Sequence, residues 1–184
     1  MSDGGYKIRD QKAVHFITFA VVEWVDVFSR QEYRDIVVQS IAFCQQKKDL
    51  KLHGWVIMTN HLHLLISAGG DITLSEILRD FKKHTSTEII RAIELNTSES
   101  RQRWMLEIFK DAGNKNARNI INQFWEQDNR PMECFSYEFT KQKLDYIHNN
   151  PVAVGIVDRP EDYIYSSARD YAGIQGLLKI DFLW

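Results

Sequence analysis

Two histidines stand two residues apart in the run Trp55-Val56-Ile57-Met58-Thr59-Asn60-His61-Leu62-His63-Leu64-Leu65-Ile66. A β-strand has a side-chain period of two, so His61 and His63 leave one face while Leu62 and Leu64 leave the other. Two imidazoles converging from one face grip a divalent cation when a third donor arrives from elsewhere in the chain. A lone histidine in such a run reads as an ordinary half-buried residue. A pair on one face of so apolar a strand favours a metal site, although His-x-His by itself is only moderately specific.

The second stretch with chemical content is Lys143-Leu144-Asp145-Tyr146-Ile147-His148-Asn149-Asn150-Pro151-Val152. On a helix Tyr146 and Asn150, four apart, share a face. Asn150 precedes a proline, which biases it away from αR and predicts that it sits at the helix end. From there its amide oxygen would complete a site with His61 and His63, and Tyr146 would point into that site. A phenol is a poor nucleophile at its usual pKa near ~10. It becomes a usable one where a cation polarises the electrophile and stabilises developing negative charge. Alone, Tyr146 reads as a partly buried helix residue and Asn150 as a cap. Beside the histidine pair they describe a metal-assisted phosphodiester transesterase. Imidazole ligation disfavours a pure Mg²⁺ site, whereas Mn²⁺ accepts mixed nitrogen and oxygen ligands.

These residues need a scaffold, and hydrophobic periodicity outlines one. Residues 13–25 are β-branched and aromatic and read as a strand. Residues 30–48 carry Ile36, Val37, Ile41, Ala42 and Cys44 at helical spacing. Residues 52–58 and 62–66 are two buried strands about a Thr-Asn turn. After Gly69-Gly70, Thr73 or Ser75 caps a long helix to about Leu95, with Leu74, Ile77, Leu78, Phe81, Ile89 and Ile90 on its buried side. A turn at 96–98 precedes a helical stretch over 99–111, then a polar loop over 112–119. Phe124-Trp125 opens a segment expected to pair as a strand up to Phe135. Residues 137–149 are helical, limited by Pro151, and a short helix is expected near 166–171. The order predicts an α+β fold, a ferredoxin-like split βαβ with an antiparallel sheet and helices packed on one face. One domain spans 1–184, with a loosely ordered N-terminus (1–12) and a C-terminal extension (152–184).

At 184 residues, 44% hydrophobic, the chain supports one substantial core. No apolar run approaches the ~20 residues of a membrane span, so no membrane partner is expected. The first five residues, Met1-Ser2-Asp3-Gly4-Gly5, have neither a charged n-region nor an apolar h-region. Cys44 and Cys134 form no framework. A cytoplasmic setting follows. A net charge of −2 argues against indiscriminate nucleic-acid binding. Residues 78–118 nevertheless hold nine basic against six acidic residues. Arg79, Lys82 and Lys83 share a helix face there, although charge runs on helices are usually just solvated.

The run from Val56 to Leu65 resembles the His-hydrophobic-His signature of the single-tyrosine (HUH) transposases. Asp145 to Val152 is similar to the tyrosine motif of their REP-associated branch. The likeness extends to the opening strand ending near Trp24, to Asp80-Phe81-Lys82-Lys83-His84-Thr85, to Phe124-Trp125-Glu126 and to Tyr163-Ile164-Tyr165-Ser166-Ser167-Ala168. It departs at Thr59, where the family commonly has proline. The resemblance implies that Tyr146 forms a 5′-phosphotyrosine link to single-stranded DNA beside a hairpin and leaves a free 3′-OH. His61, His63 and Asn150 would hold Mg²⁺ or Mn²⁺, with Asn149 the alternative amide. His148 would face elsewhere, and His15, His53 and His84 are left as structural or surface residues. Arg79, Lys82 and Lys83 are candidate phosphate contacts, Trp104 and Trp125 candidate stacking platforms. The partner is a palindromic hairpin with single-stranded DNA, met by a monomer or a homodimer. Two rivals are a domesticated hairpin-binding protein without transposition activity and a small zinc hydrolase. The second needs a third His, Cys or carboxylate that no motif supplies.

Overall fold

The computed structural model describes residues 8–115, 121–127 and 129–184. Most of the N-terminus expected to be loose (1–7) and half of the expected polar loop (116–119) lie outside the described residues. Residues 8–12 are tied down, since the Gln11 amide oxygen accepts from the Ser75 backbone N–H at 2.9 Å.

Strands β1 (His15–Ala20), β2 (Leu50–Ile57), β3 (His61–Ala68) and β4 (Met132–Glu133) form one sheet in the order β2-β3-β1-β4. Every pairing is antiparallel. Helix α1 (Gln31–Lys48) connects β1 to β2, and α2 (Leu74–Leu95) with α3 (Gln102–Asn114) connects β3 to β4. This is the ferredoxin-like arrangement, with α3 inserted before the last strand.

Register explains the core. Ile17 pairs with Leu64, Phe19 with Leu62, and Trp55 and Ile57 with the same two leucines, so all six side chains share one face. They are almost fully buried, against Val37 and Ile41 of α1 and Ile77 and Phe81 of α2. Phe19 meets Phe81 with ring centroids 5.5 Å apart. Helix α2 starts at Thr73 with a capping box, Thr73 and Glu76 satisfying each other's backbone N–H groups.

Helix α4 (Tyr137–Ala153) lies across the opposite face of the sheet. Its Leu144 and Ile147 pack over Gly54, where an added Cβ would stand 2.6 Å from Leu144 Cδ1. A bulge between Leu52 and Gly54 leaves His53 without an opposite residue on β3. The C-terminal extension then closes the β2 edge: Ile57 N–H donates to Tyr165 C=O, Ser167 N–H to Trp55 C=O and Asp181 N–H to Leu52 C=O, at 2.8–3.0 Å. The extension includes α5 (Ala168–Tyr171). No helix among the described residues is long and apolar enough to cross a membrane.

Three expectations require correction. The opening strand does not reach Val25, because Glu23 and Trp24 take left-handed backbone (φ 52° and 54°) and turn the chain away. Such a conformation costs roughly 1–2 kcal/mol for each residue that carries a Cβ. The expected strand over 124–135 contracts to a single bridge, Val21 to Trp125, and the two residues of β4. Asn150 does not end its helix. Helix α4 runs on through Pro151 to Ala153, so the missing proline N–H falls in its last turn.

Candidate active site

His61 and His63 leave the α4 face of β3, as the period of two requires, with ring centroids 4.8 Å apart. Thr18 of β1 is the register partner of His63, and its Oγ1 lies 2.8 Å from His63 Nδ1. Asn60 Oδ1 lies 2.7 Å from His61 Nδ1. An amide oxygen only accepts, so His61 donates from Nδ1 and its Nε2 carries the bare lone pair. The Asn60 orientation agrees, since its Nδ2 donates to the Trp24 carbonyl at 3.3 Å. Both rings are therefore held from behind, as metal-ligating histidines are.

Burial keeps the pair neutral. His63 is pushed down to about 3 by desolvation first, then by the neighbouring His61 and Lys143. His61 is lowered by burial alone. His63 Nε2 is buried without a hydrogen-bond partner among the described residues. A buried polar atom left bare is costly, and a lone pair in that position is what a cation would satisfy. The residues present thus fit a divalent ion. Among the described residues no group of three His, Cys, Asp or Glu is placed to hold one, so any third ligand there is of another type, such as an amide.

Tyr146 projects from α4 over this pair. Its ring lies 5.1 Å from that of His63 and 6.0 Å from that of Phe16, and it is half exposed. Asn150 follows one turn later on the same face and is half-buried. Asn149 is exposed and its amide N–H is spent on the Asp145 carbonyl at 2.9 Å. His148 faces away, as expected: its Nε2 lies 2.9 Å from Ser167 Oγ, and burial lowers it to about 4. Because Trp55 N–H donates to the same hydroxyl at 2.9 Å, His148 locks α4 to β2.

A family profile described as IS200-like transposase matches residues 11–128 of this sequence. The chain belongs to that family. A REP-associated tyrosine transposase, solved bound to a REP hairpin, superposes on the transposase with a TM-score of 0.66 and 18% identity, over 100% of this chain and 94% of that one. That likeness establishes the fold. A proposed transposase from Deinococcus radiodurans gives a TM-score of 0.43 at 16% identity, over 81% of this chain and 97% of that one. No curated sequence matches the chain.

The residues expected to touch DNA do not form one cationic face in this transposase. Lys82 donates to the Glu126 carbonyl at 2.8 Å and to Asn129 Oδ1 at 2.9 Å, and its ammonium lies 5.6 Å from the Phe19 ring. Arg79 pairs with Asp80 at 2.9 Å, and Lys83 is exposed. All three lie on α2, across the sheet from Tyr146. Trp125 is core rather than platform, 4% exposed with its indole N–H donated to Thr85. Trp104 is half exposed on α3. Thr18, Asn60 and Lys143 belong to the site but escape a reading of local pattern. Asn60 alone had a signal, its place beside His61.

Proposed function

We propose that this transposase cuts and rejoins single-stranded DNA with Tyr146 as nucleophile and a divalent ion, Mg²⁺ or Mn²⁺, held by His61, His63 and Asn150. The observation that carries the reading is the buried Nε2 of His63, without a hydrogen-bond partner among the described residues, in a ring whose centroid lies 5.1 Å from that of the half-exposed Tyr146. Tyr146 Oη attacks the scissile phosphorus, the P–O3′ bond breaks, and O3′ departs with a proton as a free 3′-OH. The 5′-phosphate stays on Tyr146 as a phosphodiester. Attack by an incoming 3′-OH reverses the step, joins the new strand and returns the tyrosine proton. One phosphodiester replaces another throughout, so no external energy source is needed.

A cation bound here supplies the positive charge that polarises the phosphate and stabilises the departing oxygen. The protein's own part is placement. Phe16 meets the Tyr146 ring edge-on and limits its tilt. Lys143, one turn earlier on α4, lies 5.0 Å from the rings of Phe16 and Phe139 and adds a positive charge beside the phosphate path. The substrate we infer is a hairpin with an unpaired flank. The fold-mate is bound to a REP hairpin, a net charge of −2 suits poorly the sequence-blind grip of duplex, and a flexible strand brings its phosphate in line with a fixed tyrosine more easily than duplex does.

The test is a covalent adduct. Wild type is incubated with end-labelled hairpins carrying single-stranded flanks, with Mn²⁺ or with chelator, and run under denaturing conditions. A protein–DNA band is expected with metal and lost in chelator. Tyr146→Phe should bind the hairpin but give no band. Undiminished adduct from Tyr146→Phe would reject the nucleophile, and wild-type binding without any adduct would favour a hairpin-binding protein without transposition.

A further inference from the structure

Two successive non-glycine residues with positive φ, Glu23 and Trp24, stand immediately beside the histidine pair. Strain of this kind persists only where the surroundings over-determine it, and it clusters at sites that use it. Here the turn is fixed by Trp24 N–H donating to the Val21 carbonyl at 3.0 Å and by the Asn60 amide donating to the Trp24 carbonyl. The same Asn60 takes the Nδ1 proton of His61. One side chain therefore positions both a metal ligand and the strained turn.

What the turn presents is an indole. Trp24 is 58% exposed, and its ring meets His61 edge-on at 5.7 Å. Trp24, His61, His63 and Tyr146 form a chain of ring contacts, with successive centroid separations of 5.7, 4.8 and 5.1 Å. Tyr146 closes one end and Trp24 the other. In-line displacement at phosphorus sets the entering and leaving oxygens on opposite sides. With Tyr146 entering from its end, the nucleotide carrying O3′ departs toward Trp24. Exposed Glu23 beside it disfavours a backbone phosphate at this corner and leaves the flat, uncharged face of a base as the fitting occupant.

We propose that Trp24 stacks the base of the nucleotide immediately 5′ of the scissile phosphate, a positioning contact that rests on the strand-cutting reading above. Stacking holds the departing 3′-end in place, so the released 3′-OH remains aligned for rejoining.

The experiment pairs a protein change with a base change. The cut site is mapped with wild type, and binding is then measured by fluorescence anisotropy in the Tyr146→Phe background, where no cleavage intervenes. Hairpins carry either a normal flank or a single abasic site 5′ of the cut. With Trp24 present, the abasic site should weaken binding roughly tenfold. Trp24→Ala should weaken the normal hairpin by a similar factor and make the abasic site nearly silent. Trp24→Phe should recover part of the loss. Losses that simply multiply, or sensitivity only to an abasic site 3′ of the cut, would overturn the assignment. If neither protein binds any single strand, the strand-cutting reading falls and the stacking contact with it.

Discussion

An imidazole ligand is only as good as the hydrogen bond on its other nitrogen. For the proposed ligands His61 and His63 that bond goes to Asn60 and to Thr18 respectively. Thr18→Val keeps the side-chain shape and removes the hydroxyl, leaving Nδ1 of a buried ring unpaired. Mn²⁺ affinity, read by isothermal titration, should fall roughly 10–100-fold, with Tm lowered by several degrees because the unpaired Nδ1 costs about 1–3 kcal/mol. Asn60→Ala should lose a comparable amount, whereas Asn60→Asp retains an acceptor and should stay within a few-fold of wild type. Wild-type affinity in Thr18→Val would mean that strand packing alone orients His63. The histidine pair was legible in the sequence because a period of two is local. Thr18 was not, since its meeting with His63 spans 45 residues and depends on a register that no single strand reveals. Trp24 was invisible as a site residue for another reason: neither Glu23 nor Trp24 is a residue type that announces left-handed backbone.

At the scale of elements, the proposed nucleophile Tyr146 is carried by a helix lying directly on a strand, and Gly54 sets how closely it lies. A Cβ there would stand 2.6 Å from Leu144 Cδ1 and 3.7 Å from Ile147 Cδ1. Leu144 is buried and has little room to retreat, so Gly54→Ala should lift α4 and carry Tyr146 away from the histidines. Overpacking of this kind costs roughly 1–3 kcal/mol, and an ångström of misplacement at a reacting centre costs up to ~100-fold in rate. The expected result is adduct formation reduced at least tenfold while Mn²⁺ affinity, resting mainly on β3, changes less. The second change Leu144→Ala makes space and should restore part of the rate. Unchanged adduct yield in Gly54→Ala would show that Leu144 yields without moving the helix. The helical spacing of Tyr146 and Asn150 could be read directly. The end of α4 could not, because the bias before proline is a preference that one turn of packed helix overrides. Residues 124–135 misled for a related reason. Phe124 and Trp125 serve the core, packing on Phe28, rather than a long strand.

Across the whole molecule, the same burial that keeps the histidines neutral makes the fold sensitive to acid. His53, held between the Asp181 carbonyl and Ser67, is lowered from 6.5 chiefly by desolvation. His63 and His148 are lowered by burial to about 3 and about 4. In the unfolded chain all three take up protons near 6.5, while in the fold His53 does so at lower pH and His63 and His148 only near about 3 and about 4. Stability therefore rises with pH wherever the unfolded state binds more protons. The contribution is complete above 6.5 and is lost as pH falls toward 4. A carboxylate then acts in the same direction: burial pushes Glu99 up, but Arg101 and Arg30 outweigh it and hold it at about 2. Its share is present above the ordinary value of 4.5 and fades as pH falls to about 2. Thermal unfolding of the metal-free protein should show a flat Tm from pH 8 to about 7 and then a steady fall. In a chain of this size each kcal/mol lost lowers Tm by roughly 2–4 °C. His53→Gln, far from Tyr146, should start from a lower Tm at pH 7 and lose less between pH 6.5 and 5, so the two curves converge on the acid side. Parallel curves across that interval would mean that His53 is protonated as readily in the fold as out of it, and that its contacts with Asp181 and Ser67 hold the charged ring.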